Sequence, residues 1–368
     1  NLNTKREILD RLNFETVINY TGSTRKTLLE HTIGSVLFNA ANMAPNLTPY
    51  DSEGEFTLAE GLGSEVMNPL AQIANTHNET FVNRVNGKFG LSYELFKGFT
   101  AETNVGYNFS HVRGQFFNPE VFYGAAKVFN NVESAVGESQ TIYYNIAWDN
   151  FIRYKRSLNE RHHLTFTLGS SIFRDRGESL NGFGFGIPNN NVEFADLGQA
   201  NEIRDGGAGS WQYDFRLLSY FGRIEYNLDY KYLLSVIVRR DGTSRFGPGN
   251  KFGYFPAVSA GWVLSEEDFL KNNSLISFAK LRASYGITGN DRIGDFRFIS
   301  SLNGEAEYVF DGNTLTRGLA IGALANPDIR WEKNKQLNLG FDAELWNGKI
   351  SVAADYFIKT SEDLLLAV

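Results

Sequence analysis

The chain has 368 residues, with 35 Lys and Arg against 42 Asp and Glu for a net charge of −7, and it contains no Cys. No segment concentrates basic residues, so the electrostatic footprint of a nucleic-acid binder is missing. The absent thiols remove thiolate catalysis, disulfides and Cys-ligated zinc, and suit an oxidising, extracytoplasmic setting.

Length alone allows two or so soluble domains or one large β-barrel. No run of about eighteen apolar residues is present to cross a membrane as a helix. A mean hydropathy of −0.29 fits a soluble protein and a barrel equally, because a barrel hides its membrane-facing residues at every second position. The chain opens at Asn1 without an initiator Met or signal peptide and ends at Ala367-Val368 without an aromatic terminal strand. It reads as a piece of a longer, processed chain.

In chain order, alternation is weak near 8–20. Residues 31–44 (HTIGSVLFNAANMA) break it and read as a short helix or irregular segment ahead of Pro45 and Pro49. From there the period-two pattern is regular. Residues 85–95 set Val85, Phe89, Leu91, Tyr93 and Leu95 against Asn86, Lys88, Ser92 and Glu94, and 99–109 set Phe99, Ala101, Val105, Tyr107 and Phe109 against Thr100, Glu102, Asn104 and Asn108. Similar strands run through 142–154, 164–172, 216–228, 232–240, 256–264 and 279–288. The last pair, in QLNLGFDAELWNGKISVAADYFI (336–358), is a hairpin turning at Asn347-Gly348. The count is about eleven or twelve strands, most reaching the ~9–11 residues that a tilted transmembrane strand needs, against ~5–6 for a soluble one.

The connections alternate in length. Joins at 96–98, 229–231 and 346–349 are tight, whereas 110–140, 174–212, 241–253 and 289–332 are long, as outer-membrane barrels require and sandwiches do not. Phe96, Phe99, Tyr226, Tyr230, Tyr232 and Trp346 flank the short turns, where a bilayer interface selects amphipathic rings. The polar faces carry Arg84, Lys88, Glu94, Arg153, Arg223, Glu225, Lys280, Arg282, Asp342, Glu344 and Asp355. A lipid-facing Arg at the midplane costs roughly 2–4 kcal/mol, so these charges face a wet lumen or, in a soluble fold, ordinary solvent.

Catalytic chemistry finds little support. His162 and His163 are adjacent, so on a strand they point to opposite faces and do not share a metal. GFGFGIPNN (182–190) lacks the Lys-Ser/Thr of a phosphate loop and reads as a mobile loop. TGNDRIGD (288–295) offers Asn290, Asp291 and Asp295 as calcium oxygens without EF-hand spacing. Asp342 and Glu344 read as a salt-bridge ladder rather than an acid-base pair. No residue is assigned to catalysis, a cofactor or a metal, and an enzyme is not expected. Phe116, Phe117, Phe122, Tyr123, Phe183, Phe185, Trp211 and Tyr213, placed on long loops, suit stacking on sugars or peptide side chains, or packing loops together. None is singled out as a substrate-binding residue.

The stretch 219–270 resembles the barrel signature of the SusC/RagA family of TonB-dependent outer-membrane transporters of Bacteroidota. The match runs through Tyr220-Phe221-Gly222-Arg223, Tyr232-Leu233-Leu234, Arg239-Arg240-Asp241-Gly242, Ser244-Arg245-Phe246-Gly247, Phe255-Pro256, Gly261-Trp262 and Ser265-Glu266-Glu267. It continues through 270–290, 326–345 and 355–366, and upstream through 44–54 and 68–110; only 1–43 matches weakly.

The resemblance implies an all-β fold, a transmembrane antiparallel β-barrel of about twenty-two strands, with 1–368 forming part of that single barrel domain. It further implies import of oligosaccharides or oligopeptides, a SusD-like surface lipoprotein as lid, coupling to the TonB complex, a setting in outer-membrane lipid, and no cofactor. The family's plug, TonB box, N-terminal extension and last strands are expected to lie outside this chain. Two alternatives remain at this level: a TonB-dependent siderophore or cobalamin receptor without a lipoprotein lid, and a soluble or cell-surface β-protein that binds glycan without transporting it. The Arg239-Arg240-Asp241-Gly242 motif has its own local reading, with Asp241-Gly242 as a positive-φ turn into a loop and alternate arginines pairing with lumen carboxylates.

Overall fold

The structure is a computed structural model that describes residues 1–28, 32–204, 206–271, 273–310 and 312–366. Its elements are β1 (Leu2–Leu9), β2 (Leu12–Lys26), α1 (Val36–Asn42), α2 (Pro69–Ala74), β3 (His77–Phe96), β4 (Phe99–Asn118), β5 (Ala135–Ser157), β6 (His162–Phe185), β7 (Ala208–Leu228), β8 (Tyr232–Thr243), β9 (Phe252–Val263), β10 (Ile276–Asn290), β11 (Leu302–Val309), β12 (Leu315–Ile321), β13 (Glu332–Leu345) and β14 (Ile350–Glu362). Twelve strands form one antiparallel sheet in chain order from β1 to β10, then β13 and β14, while β11 and β12 make a separate hairpin. The sheet is open, with β1 and β14 at its edges.

Register fixes the two faces. Opposed residues share a face, and the pairs Phe89↔Val105, Val105↔Trp148, Trp148↔Ile172 and Ile172↔Leu218 carry one apolar row across five strands. No described residue covers that face: Leu168 is 60% exposed, Ile146 50% and Val238 47%. In water this would be a continuous apolar surface far larger than the ~300–600 Å² patches of soluble monomers. Hydrocarbon is the medium that accepts it. Polar groups on the same face can bond to each other, as lipid favours: the Trp148 indole N–H donates to Thr103 Oγ1 at 2.9 Å, and Thr103 donates to Asn150 at 2.8 Å.

The opposite face carries the charges. Lys88 pairs with Glu15 at 3.0 Å, Arg153 with Glu102 at 3.1 Å, Arg223 with Glu225 at 2.7 Å, and Arg282 with both Asp342 and Asp355 at 2.8 Å. These are the lumen-side ladders that alternation implied.

Several boundaries differ from the sequence reading. The region near 8–20 is two strands, turned at Asp10-Arg11 with Arg11 at φ 64°. Within 31–44, α1 begins after Ser35, whose Oγ accepts from the Phe38 N–H at 3.2 Å; His31 lies outside the described residues. The long connections contract to 119–134, 186–207, 244–251 and 291–331 because the strands run on past the apolar band, β5 starting at Ala135 instead of 142 and β6 ending at Phe185 instead of 172. Beyond the band the outward face turns largely polar while rings such as Phe173 and Phe183 stand on the other, so the alternation stops while the backbone ladder continues. At ~3.3 Å per residue, the 24 residues of β6 greatly outreach a tilted span of ~9–11.

Asp241-Gly242 is also not a turn. Both residues sit inside β8, opposite Gly253 and Phe252, and glycine is required at 242 because a Cβ there would run into the Phe252 ring. Asn347-Gly348, by contrast, does turn, with φ of 55° and 82°.

The tight turns cluster at one end with the expected aromatics. Phe96 and Phe99 stack at 4.9 Å, with Tyr154 beside them, and Tyr232 stacks on Trp262 at 6.4 Å. Glu267, in the turn after β9, ties this end together by accepting from Tyr232 Oη at 2.6 Å and Trp262 Nε1 at 3.0 Å, with Lys231 Nζ at 3.4 Å. Those donors hold its carboxyl below the usual 4.5.

Val236 lies mid-strand on the apolar face and Ser259 on the charged face. In the full-length protein, Val236→Arg should cost about 2–4 kcal/mol while Ser259→Arg leaves stability nearly unchanged, measured by guanidinium unfolding in detergent micelles. Because Glu267 is depressed when folded, its stabilisation is complete above pH 4.5 and lost as pH falls through the lower folded value. Glu267→Gln should therefore lower the unfolding midpoint at pH 7, and the gap to wild type should close as the buffer is taken below 4.5.

Candidate functional site

The end opposite the tight turns carries the long connections, and the packed core lies there rather than in the wall. Helices α1 and α2 dock through Asn39, fully buried, whose amide donates to Gln72 Oε1 at 2.7 Å and whose Oδ1 accepts from the Met67 N–H. Met67, Ala71 and Tyr123 bring 119–134 onto this unit, and burial pushes the Tyr123 hydroxyl's pKa up. Lys127 is 6% exposed and has no carboxylate partner among the described residues; its ammonium donates instead to the carbonyls of Gly63 at 2.9 Å and Leu62 at 3.3 Å.

A second cluster, Phe117, Val136, Ile187 and Ala195, joins the crown ends of β4 and β5 to 186–207. A third, Phe246, Phe255, Ile329 and Trp331, joins 244–251 to 291–331. The connections form a braced crown, not independent loops.

Below the crown, on the charged face, an aromatic ladder lines the wall. Phe116 stacks on Phe183 at 5.2 Å, Tyr143 lies 5.9 Å from Trp211, Trp211 is parallel to Tyr213 within 14°, and Phe173 meets Phe215 at 6.3 Å. Register makes room for it: Tyr143↔Gly177↔Tyr213 places a glycine between two rings, and a Cβ on Gly177 would collide with Tyr213. Tyr213 Oη donates to Asp175 at 3.2 Å, and the Arg245 guanidinium covers Phe215 at 4.0 Å. The ladder offers flat apolar faces edged by a carboxylate and a cation, a surface for stacking and hydrogen bonding and not for bond cleavage.

The aromatics assigned to loops separate into three groups. Phe116, Phe183, Trp211 and Tyr213 are on strands and join the ladder. Phe117 and Tyr123 are buried in the crown, and Phe185 packs under Arg204. Phe122 alone of the set points outward, 61% exposed. Tyr143, Phe173 and Phe215 were missed; each shares strand parity with a lumen charge, which was the available signal.

The remaining candidates are structural. His162 contacts Tyr226 Oη at 2.7 Å and His163 contacts Ser157 Oγ at 2.8 Å, on opposite faces. Asp291 accepts from Thr243 at 2.7 Å and Asp295 from Arg245 at 3.0 Å, so an arginine occupies the place proposed for calcium. Residues 182–190 are not a mobile loop: β6 runs to Phe185, and Ile187 is buried with its N–H donating to Ser134 Oγ at 2.7 Å. Among the described residues no group of three or more His, Asp and Glu gathers as a metal site.

A sheet of long strands, lipid-facing on one side and charged on the other, with tight turns at one end and a crown at the other, defines the wall of an outer-membrane β-barrel. Residues 25–368 match the family model for the TonB dependent receptor-like β-barrel, and the chain belongs to that family. TonB-dependent receptor P39 of Formosa agariphila is 33% identical over 339 residues, which cover 91% of this chain and 31% of that protein. TonB-dependent receptor SusC of Bacteroides thetaiotaomicron is 40% identical over 156 residues, 41% of this chain and 15% of that protein. The fold superposes on the RagAB peptide transporter with a TM-score of 0.84 at 23% identity, covering 100% of this chain and 40% of that one. The chain thus spans about a third of the length of the Formosa receptors it matches, and its place is the outer membrane.

Lys127→Ala in the full-length protein removes the donor to the Leu62 and Gly63 carbonyls, at about 1 kcal/mol for each hydrogen bond lost. Limited proteolysis should then open cleavage within 55–66 and 119–134 while the strands stay protected.

Proposed function

We propose that this chain forms wall and crown of the single barrel domain of a SusC-like importer, which takes up oligosaccharides or oligopeptides by binding and gated passage, without bond chemistry or cofactor. The TonB complex supplies the energy through parts of the protein outside these residues, and a SusD-like surface lipoprotein covers the crown. The observation that carries this reading is the aromatic ladder on the lumen face directly beneath the crown, with Phe116 and Phe183 at its crown end and Trp211, 44% exposed, below them. Parallel rings at that height present stacking faces to an entering chain, and Asp175 and Arg245 at their edge supply hydrogen-bonding groups. Likeness to SusC supports the lipoprotein-capped class, and each contact in the ladder is weak enough for release, as passage requires.

The test is extraction of the full-length protein from native outer membranes in mild detergent, with mass spectrometry of what co-purifies. A stoichiometric surface lipoprotein is expected, together with a bound oligosaccharide or peptide. Trp211→Ala should weaken rebinding of that ligand by about tenfold without altering heat-modifiable migration on a detergent gel. An intact barrel that never carries a lipoprotein would sink this reading in favour of a lidless receptor for a small chelate.

A further inference from the structure

The antiparallel register aligns asparagines in one row on the charged face. Asn19↔Asn86, Asn86↔Asn108, Asn108↔Asn145 and Asn145↔Asp175 are directly opposed from β2 to β6. The row lies one step nearer the tight turns than the Ser110↔Tyr143↔Gly177↔Tyr213 row of the ladder. Asn19 donates to Asn86 Oδ1 at 3.2 Å, whereas the half-buried side chains of Asn108 and Asn145 have no hydrogen bond among the described residues. The next step down β4 and β5 is Gly106↔Ala147, and the step after that is Asn104↔Asp149↔Ser171. Asn104 lies over Gly90, where a Cβ would meet its Oδ1 at 2.6 Å, and Asp149 accepts from Ser171 Oγ. Two polar rows thus stand about 13 Å apart along the strands, with only a glycine and an alanine between them on β4 and β5. Phe173, opposite Ala147, closes one side. The wall therefore has a recess that is polar above and below and carries a ring at its edge.

A row of carboxamides selects by hydrogen bonding without charge. Each offers donors and an acceptor together, the complement of vicinal hydroxyls, which both give and take. Arg84, opposite Ser110, and Asp175, opposite Asn145, balance each other at the two ends of the site, so an acidic chain gains no net attraction. Spacing separates sugar from peptide. The carboxamides recur at the interstrand distance of ~4.8 Å, while an extended peptide laid along them presents equivalent amides only every ~6.6–6.8 Å and falls out of step. From this geometry we infer that Asn86, Asn108, Asn145 and Asp175 form a sugar subsite in the barrel wall, and that the chain imported is a neutral oligosaccharide. One pyranose ring enters the recess over Gly106 and Ala147 with its apolar face toward Phe173, and its hydroxyls bond to the carboxamides. A ligand without hydroxyls leaves those half-buried groups unpaired, which is a strong basis for rejection. The inference names the substrate class of the importer proposed above and rests on that reading.

The experiment uses the full-length protein, with whatever co-purifies, in mild detergent. Retained ligand is counted by native mass spectrometry after incubation with neutral hexaoses of gluco, manno, galacto and xylo configuration, a hexaglucuronate, and a random-sequence hexapeptide pool. A neutral hexaose should be retained more tightly than the glucuronate or the peptides. Joint substitution Asn108→Ala and Asn145→Ala should weaken that retention on the order of twentyfold, and Ala147→Leu, which fills the recess and keeps the carboxamides, by about tenfold. Heat-modifiable migration reports that the barrel has formed. If the double Ala variant fails to assemble, the isosteric Asn145→Asp, which exchanges donors for a charge beside Asp175, should lose about fivefold. Preferred retention of the peptides or the glucuronate, or of no probe at all, overturns the sugar assignment, while a co-purifying lipoprotein leaves the importer standing. Undiminished hexaose retention in the carboxamide and recess variants, with Trp211→Ala still weakening it, overturns the subsite and keeps the ladder.

Discussion

A backbone amide that crosses hydrocarbon has no water to bond to, and every other feature of this chain follows from that constraint. Twelve strands in unbroken neighbour order, twenty or more residues long between β3 and β7, supply a partner for the crossing amides between the two edge strands. Once the ladder is fixed, side chains alternate between two solvents of opposite kind. Within the apolar band charges are then confined to one face, where Arg282 can serve both Asp342 and Asp355, and polar groups such as Trp148, Thr103 and Asn150 on the other bond to each other.

A wall built this way has little interior. Soluble proteins take their stability from a core, whereas here buried apolar side chains gather mainly where the connections meet, around Met67, Phe117 and Phe246. The crown therefore needs the devices of a small globular unit. Asn39 locks two helices, Lys127 satisfies two carbonyls, and Arg245 fills a site between two aspartates and a ring. A buried cation such as Lys127, with no carboxylate beside it among the described residues, is costly unless its donors are used, so these residues hold defined positions and keep the mouth above the ladder in one shape.

What could be read from sequence tracks what the membrane dictates. Alternation located the strands wherever one face meets lipid, as in 85–95 and 232–240, and the Asn347-Gly348 turn was legible because two residues there need positive φ. It failed where lipid ends. The first seven residues of β5 and the last thirteen of β6, counted from the limits of alternation at 142 and 172, are strand without a hydrophobic signal. The ring of Phe252 placed over Gly242 is a cross-strand contact that no local rule contains, so Asp241-Gly242 looked like a turn. The same limit misplaced Trp211 and Tyr213 on a loop, though the residues themselves were recognised as stacking groups.

The two rims of the wall use different chemistry for the same task of fixing depth. At the tight-turn end, rings do it, with Phe96, Phe99, Tyr232 and Trp262 straddling the interface and Glu267 holding the last two from the aqueous side. At the crown end the outward rows finish in arginines over rings, Arg240 on Phe252 and Arg176 on Tyr144 at 5.4 Å. A ring tolerates vertical displacement because its edge and face both suit an interface, whereas a guanidinium is penalised steeply as it moves toward the midplane. The arginine rim thus sets the depth and the aromatic rim accommodates it. That places the rigid reference at the end where the crown must stand at a fixed height above the membrane.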